Sequence, residues 1–285
     1  MTANVWTEVL WYRQLGMAQV WTTRLLWQLI LFVAAAVIMA AAVMASLWFA
    51  YRSRPLYPPG GPDTAVLERY RATLEPLRKL LAIGIPVGLG LFVGSAAATQ
   101  WRSLLLLIHG GSFDRKDPQF DIDIGFFVFD LPFLQFLVGY LLGVTIISLI
   151  AGAATHYIYG GLRLGGRGQR FTPAALRHLS ILACIALLLQ AVSYWLDRYG
   201  LLSEQNDLMT GASYTGVHAE LPARTILTMV AVIVALTMLS TMFTRNLRLP
   251  AFALVLMMVA AAAVGVAYPL IIQQFQVRPS QQTME

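Results

Sequence analysis

Apolar residues occur along this chain in six continuous runs, and the polar stretches between them hold nearly all of the charge. The runs cover residues 25–51, 80–99, 133–157, 176–194, 226–243 and 251–272. A ~30 Å hydrocarbon layer requires about 20 helical residues, so every run is long enough to cross a bilayer. The runs lack the two-residue alternation of barrel strands. The pattern therefore predicts an all-α, polytopic transmembrane helix bundle with about six spans and interfacial amphipathic segments.

The polar stretches divide the chain into three predicted parts. Residues 1–24 place tryptophan and leucine among polar side chains, which is typical of an amphipathic segment at the membrane interface. Residues 25–273 form the six-span membrane domain, with long extracytoplasmic loops at 100–132 and 195–225. Residues 274–285 form a polar C-terminal tail.

The composition supports a membrane protein and excludes other classes. Hydrophobic residues make up 58% and charged residues 12% of the chain, and the mean hydropathy is +0.66. Soluble domains hold about 25% charged residues. The single cysteine, Cys184, excludes an internal disulfide framework. Because the net charge of +6 is dispersed over the loops, we expect a lipid bilayer that includes anionic lipids as the partner, and no nucleic acid.

The distribution of basic residues predicts the orientation. Loops 52–79, 162–175 and 244–250, with the helix ends beside them, carry 12 of the 20 Lys and Arg residues but 3 of the 14 Asp and Glu residues. The positive-inside rule places these loops in the cytoplasm and both termini outside it. Residues 1–24 lack the features of a signal peptide, so an external N-terminus requires a span upstream. We therefore expect the chain to be part of a longer protein.

The loops carry long, unusual strings of residues in a fixed order. They are HGGSF at 109–113, DPQFDIDIGFF at 117–127, VFDLPF at 128–133, HYIYGGLRL at 156–164, YWLDRY at 194–199 and GASYT at 211–215. With these strings the chain resembles the UPF0182 family of bacterial multi-pass membrane proteins over essentially its whole length. The loop residues that carry the resemblance are His109, Asp117, Pro118, Phe120, Asp123, Asp197, Arg198 and Tyr214.

The resemblance implies an architecture more than an activity. Family members look like a seven-helix region of the bacterial plasma membrane followed by a large extracytoplasmic domain, and the family name marks an unassigned function. The string WYRQLG at 11–16 looks like the external segment after the family's first span, and VRP at 277–279 resembles the entry to the large domain. The resemblance thus implies that the first span and the large domain are missing from this chain.

The densest polar cluster, in loop 100–132, holds the candidate metal ligands Asp117, Asp121 and Asp123. Alternating aspartates suit Ca²⁺, which takes several oxygen ligands, but the glycine and closing glutamate of an EF-hand are absent. Aromatic residues interleave with these acids, which favours an ordered element apposed to the membrane. We therefore predict no metal site and a folded loop.

Two features of this loop lead to structural expectations. Phe126, Phe127 and Phe129 are expected to be covered by protein or to lie at headgroup depth. The dipeptide Leu131-Pro132 is expected to interrupt the backbone, because the residue before a proline disfavours helical geometry.

The four histidines, at positions 109, 156, 178 and 218, do not follow the spacing of zinc motifs. His156 and His178 lie near the ends of the third and fourth runs and are expected to face each other across the turn 160–170. Two interpretations stay open: a proton relay, or interfacial histidines that are hydrogen-bonded to their neighbours.

The sequence offers no catalytic residue and no cofactor-binding motif. The glycine-rich stretch 160–168 lacks the lysine and Ser/Thr of a phosphate-binding loop, and a flexible basic turn against anionic lipid explains it better. The central portions of the runs contain no Asp, Glu, Lys or Arg, which argues against a conventional ion-coupled transporter.

The second run carries two small-residue pairs that predict close helix packing. Gly84 and Gly88, and Gly90 and Gly94, each lie four residues apart. Small residues at this spacing allow two membrane helices to approach closely. We expect the four glycines to form one packing face.

These observations predict an integral plasma-membrane protein that anchors or scaffolds an extracytoplasmic domain or an envelope complex, with envelope proteins as partners. Two alternatives stay open. One is a transporter or channel for a lipidic or weakly polar substrate. The other is a membrane enzyme whose active residues lie mainly in the missing domain.

The topology is testable by cysteine labelling. After replacement of Cys184, single cysteines at Ser53, Ser112 and Ser203 are introduced, and intact cells are treated with an impermeant maleimide. We expect labelling at 112 and 203 but not at 53, because the basic loops face the cytoplasm. Labelling at 53 alone would contradict the topology.

Overall fold

The six apolar runs form six long helices in the computed structural model, which describes residues 2–55, 73, 75–163, 171–203, 211, 213–244 and 248–277. Each is long and apolar enough to cross a membrane. Spans 1 to 6 are Ala18–Arg52, Arg78–Ala98, Phe126–Ile158, Pro173–Ser203, Gly216–Thr244 and Arg248–Phe275. The predicted all-α fold is confirmed. Within the described residues, β pairing is limited to two isolated bridges, Lys116 with Asp123 and Leu162 with Phe171.

Two shorter helices accompany the spans. Thr2–Gln14 lies within the predicted interfacial segment, and Trp101–His109 follows span 2 at the start of the long loop. The helix of span 6 continues as a π turn over Gln273–Val277 and so extends beyond residue 274, where the tail was predicted to begin. Most of loop 52–79, the glycine-rich turn 164–170 and the tail beyond 277 lie outside the described residues.

The spans pack in the spatial order 2–1–3–4–5–6, each mainly against its neighbours in that order. One core cluster joins Met39 and Val43 of span 1 to Val144 of span 3, with side chains of span 2 packed against it. A second cluster joins Cys184 and Leu187 of span 4 to spans 5 and 6. The membrane domain therefore has two three-helix groups, spans 1–3 and spans 4–6. The contact between spans 3 and 4 is called the seam below.

Large apolar side chains cover the periphery of both groups. Phe92 of span 2, Phe243 of span 5 and Phe252 of span 6 are 75%, 84% and 69% exposed. An apolar surface of this extent would be a liability in water but suits contact with lipid tails.

Three spans contain a widened π turn immediately before a proline. The turns are Phe126–Asp130, Gly216–Glu220 and Ala263–Ala267, and the prolines are Pro132, Pro222 and Pro269. At the first turn, Leu131 N–H donates to the carbonyl of Phe126, five residues back. Proline lacks an N–H and crowds the carbonyl four residues before it, and a wider turn relieves both conflicts. The expectation that Leu131-Pro132 interrupts the backbone is therefore wrong, because the helix of span 3 passes through this dipeptide.

The four glycines of span 2 lie in two different environments. A Cβ on Gly90 would lie 2.6 Å from the carbonyl oxygen of Ala36, and one on Gly94 would lie 2.8 Å from that of Phe32. Both glycines thus pack against span 1. A Cβ on Gly84 or Gly88 meets no neighbouring helix of the described residues within 4 Å. The prediction that all four glycines form one packing face needs correction, since only the second pair faces a helix.

This division predicts opposite effects of the same substitution within one helix. Gly90→Ala forces its new methyl group against the backbone of span 1, so we expect a loss of about 1–3 kcal/mol from overpacking. Gly88→Ala points into open space and is expected to leave the stability unchanged or raised, because alanine favours helix. Thermal unfolding in detergent compares the two variants. Equal melting temperatures would contradict the packing of Gly90 against span 1.

Candidate functional site

The loop between spans 2 and 3 is organised around one carboxylate. The hydroxyl of Ser112 donates to Oδ2 of Asp123 at 2.6 Å. The backbone N–H groups of Phe113 and Gly125 donate to Oδ1 at 3.1 Å and 2.6 Å. These hydrogen bonds hold the pKa of Asp123 below its ordinary value of 3.8, and the bond from the Ser112 hydroxyl has the largest effect. Asp123 therefore remains a carboxylate that fastens the two ends of the loop together.

The other two candidate ligands serve local turns. Oδ2 of Asp117 accepts the N–H groups of Gln119 and Phe120, each at 2.8 Å. Asp121 has a left-handed backbone, with φ at 55°, and pairs with Lys116 at 3.2 Å on the surface. Among the described residues no group of three or more His, Cys, Asp or Glu side chains is arranged to hold a metal ion. Asp117 thus fixes a local turn of the loop, and Asp121 forms an ion pair on its surface.

Aromatic side chains dock this loop onto span 4. The ring of Tyr199 lies 4.9 Å from that of Phe120, 5.4 Å from that of Phe126 and 6.2 Å from that of Phe127. Phe127 is buried, and Phe126 and Phe129 are half-buried. The loop is therefore a folded cap on one end of spans 3 and 4, and its covered phenylalanines agree with the sequence-based expectation. Residues 110–130 are called the loop cap below.

A second polar contact joins spans 4 and 5 at the same end of the bundle. The guanidinium of Arg224 donates to the carbonyl oxygen of Asp197 and to the carboxylate of Glu220, the latter at 2.9 Å. Beside it, the guanidinium of Arg198 lies over the ring of Trp195 at 4.2 Å. Asp197 and Arg198 lie on span 4, next to Tyr199, on which the loop cap packs.

The remaining residues of the family-like strings make local contacts. His109 ends its short helix, with Nδ1 3.2 Å from the carbonyl oxygen of Leu105. Tyr214 stacks on His218 at 4.2 Å, before the π turn of span 5. Pro118 follows Asp117 inside the first turn of the loop cap. Phe120 and Asp123 thus both belong to the loop cap, whereas His109 and Tyr214 make the contacts given above within their own segments.

The second candidate site lies at the opposite end of the bundle, across the seam. Nε2 of His156, on span 3, is 3.2 Å from Nδ1 of His178, on span 4. Nε2 of His178 is 3.4 Å from the hydroxyl of Ser46 on span 1, and that hydroxyl donates to the carbonyl of Ser148 at 2.7 Å. His156 is 1% exposed. The sequence-based expectation that the two histidines face each other is thus confirmed. The side chains of Ser46, His156 and His178, with the carbonyl of Ser148, are called the histidine cluster below.

Two glycines make room for the histidine cluster. A Cβ on Gly152 would lie 2.7 Å from the hydroxyl of Ser46 and 2.9 Å from Cε1 of His178. A Cβ on Gly161 would lie 2.9 Å from Nδ1 of His156. Only glycine permits this close approach of three helices around two imidazole rings.

Basic and phenolic side chains lie beyond the cluster, toward the predicted cytoplasmic surface. The rings of Tyr51 and Tyr159 meet edge to face at 5.1 Å, and the guanidinium groups of Arg54 and Arg78 both donate to the Tyr51 hydroxyl. Burial raises the pKa of Tyr159, and the nearby Glu75 carboxylate adds to that effect. Tyr159 therefore stays a neutral phenol.

The sequence did not indicate every member of this cluster. Ser46 is the one serine or threonine between Thr23 and Ser53, so an isolated hydroxyl in an alanine-rich span was the available signal. Gly152 and Gly161 have no such signal, because their role depends on which side chains of other spans face them.

Comparison with known proteins gives a single family. The model of an uncharacterised protein family, UPF0182, matches residues 1–285. The chain is 45% identical over 288 residues to a UPF0182 protein of Kineococcus radiotolerans, 43% over 283 to one of an Arthrobacter species and 42% over 283 to one of Thermobifida fusca. These matches cover 100%, 99% and 99% of this chain and 28% of each relative. No solved structure matches the chain.

The role of Asp123 in the loop cap is testable by proteolysis. Asp123→Ala removes the acceptor of three hydrogen bonds, so the cap is expected to open and trypsin to cleave faster at Arg115 and Lys116. Asp121→Asn is the control, because the Asp121 carboxylate is 82% exposed, surface ion pairs contribute little, and asparagine tolerates the left-handed backbone at this position. Equal cleavage rates in the two variants and the wild type would contradict the fastening role of Asp123.

Proposed function

This chain belongs to the uncharacterised UPF0182 family, and we propose that it is a plasma-membrane anchor that holds an extracytoplasmic domain or envelope complex at a fixed position. The chain spans about 28% of the length of the curated relatives. In this proposal the spans hold the protein in the lipid, and the loop cap faces the extracytoplasmic part. Both termini then lie outside the cytoplasm, as the basic loops predict.

The loop cap is the observation that carries this proposal. A mobile loop between spans cannot hold an extracytoplasmic domain in a fixed position, whereas a loop that is fixed by hydrogen bonds presents a rigid surface. Asp123 fixes the two ends of the loop, and Tyr199 fixes it to span 4. Phe113 and Val128 remain 51% and 45% exposed on the cap and offer apolar contact area to a protein above it.

The composition of the spans supports the same role. Their central portions carry no Asp, Glu, Lys or Arg, and their outer faces are apolar. Ion-coupled transport generally relies on ionisable groups at membrane depth. Anchoring requires only that the spans partition into lipid and pack together.

The test uses a full-length family member, such as the Kineococcus radiotolerans relative. A variant that keeps only the part following the segment that aligns with this chain, and so lacks the upstream span as well, is expected to be released from membranes, and fusion of that part to an unrelated single-span anchor to restore attachment. Flotation gradients give the readout, because lipid-bound protein floats and aggregates sediment. A variant that still floats without the fused anchor would contradict the anchoring role.

A second measurement separates anchoring from transport of lipid. The chain is reconstituted into vesicles that contain a fluorescent phospholipid, and dithionite quenching follows its movement between leaflets. An anchor leaves the rate at that of protein-free vesicles. A faster rate would favour the alternative of a lipid transporter over the proposal.

A further inference from the structure

The hydrogen bonds of the histidine cluster define which atoms donate and which accept. The hydroxyl of Ser46 donates to the carbonyl of Ser148, because a carbonyl only accepts. A hydroxyl has one proton, so it accepts in its second contact, and Nε2–H of His178 is the donor. A neutral imidazole has one N–H, so Nδ1 of His178 is an acceptor. Its contact with His156 therefore requires Nε2–H of His156 as the donor.

With the donors and acceptors assigned in this way, one ring nitrogen of the two histidines has a lone pair that accepts no hydrogen bond. With Nε2 of His156 protonated, its Nδ1 is unprotonated, and it has no hydrogen-bond partner among the described residues. It lies beside Gly161, where even a Cβ would approach within 2.9 Å. The absence of a side chain at 161 leaves room for a proton on this buried nitrogen, beside the described start of the turn that follows span 3.

We propose that His156 and His178 form a binding site for one proton, and that the proton binds at Nδ1 of His156. The new N–H makes His156 an imidazolium, which continues to donate Nε2–H to His178. Hydrogen bonds from a charged donor are shorter and stronger than neutral ones. Every hydrogen bond of the neutral cluster therefore survives the uptake of the first proton.

A second proton does not fit the same arrangement. The available nitrogen is Nδ1 of His178, which already accepts the N–H of His156 at 3.2 Å. Protonation there would place two N–H groups against each other and two like charges in one buried site. The chain of hydrogen bonds also ends at the carbonyl of Ser148, which cannot release a proton. The pair therefore stores one proton and does not relay it through the bundle.

The surroundings of the pair include one aromatic ring and several charged groups. Span 1 presents the ring of Phe49, which lies 4.8 Å from the ring of His178, the ring that stays neutral. Span 4 carries Arg177 beside His178, with its side chain exposed. Among the described residues, the titratable and charged groups at this end of spans 1 to 4 are Tyr51, Arg52, Arg54, Glu75, Arg78, Lys79, Tyr157, Tyr159, Arg163 and Arg177. Glu75 is their one carboxylate, and it pairs with Arg78 at 2.9 Å.

Histidine NMR of the full chain in detergent tests the proposal. The chain has four histidines, and His109 and His218 are exposed and serve as internal references. As the pH falls, we expect the ¹⁵N resonance of His156 Nδ1 to move to that of a protonated nitrogen, while His178 Nδ1 stays an acceptor. Protonation of His178 Nδ1 alongside His156 would overturn the proposal, and so would a pair that takes up no proton down to the acid limit of the fold.

Two sets of variants check the number and the place of the proton. Comparison of the wild type with the His156→Gln/His178→Gln double variant by potentiometric titration is expected to show a difference of one proton, and a difference of zero or two contradicts the proposal. Gly161→Ala puts a methyl group against Nδ1 of His156 and is expected to change the titration of this histidine. Gly139→Ala is the control, because a Cβ there has no neighbour within 4 Å. Identical titrations of the two glycine variants would contradict the assignment to Nδ1.

Discussion

The need to satisfy polar groups inside an apolar environment determines how the two three-helix groups are joined. Lipid tails offer no hydrogen bonds, so a polar side chain on a span bonds either to its own helix, as Thr145 and Thr228 do, or to a neighbouring span. The histidine cluster meets this need across the seam, with contributions from spans 1, 3 and 4. The same rule recurs within the groups, where the Tyr140 hydroxyl donates to the carbonyl of Ala35 and the Ser180 and Thr241 hydroxyls meet at 2.6 Å. Apolar packing holds each group together, and these polar contacts fix how neighbouring spans are aligned.

The two ends of the bundle differ in their chemistry. At one end, the loop cap is fastened by Asp123 and docked on Tyr199, and its carboxylates are used for its own turns. At the other end, histidine, tyrosine and arginine side chains meet near the basic loops. The proposed anchoring role uses the rigid surface of the first end. The proposed proton site uses the buried bases of the second, and neither proposal depends on the other.

The sequence predicted those features that depend on composition and periodicity. The six spans, the all-α fold and the approach of His156 to His178 follow from apolar runs joined by a short turn. Features that depend on the particular neighbour of a residue were not predictable. Gly84 and Gly90 each begin a pair of glycines four residues apart, yet only Gly90 of the two faces span 1, because the rotation of the helix decides which glycine meets a partner.

The prediction that Pro132 interrupts the helix was wrong for a related reason. Local geometry disfavours a helix before Pro132, but a span in lipid cannot leave its backbone unpaired. A π turn resolves the conflict by moving the hydrogen bond from the fourth to the fifth residue back. The same solution before Pro222 and Pro269 indicates that it is a regular device of this membrane domain.

The coupling of His156 and His178 across the seam is the most direct test of how the two groups are joined. A double-mutant cycle with His156→Ala, His178→Ala and the double variant measures it by unfolding in detergent near neutral pH. The structure predicts a coupling free energy of about 0.5–3 kcal/mol, as found for residues in one hydrogen-bonded network. Additive effects of the two substitutions, with no coupling, would contradict the account.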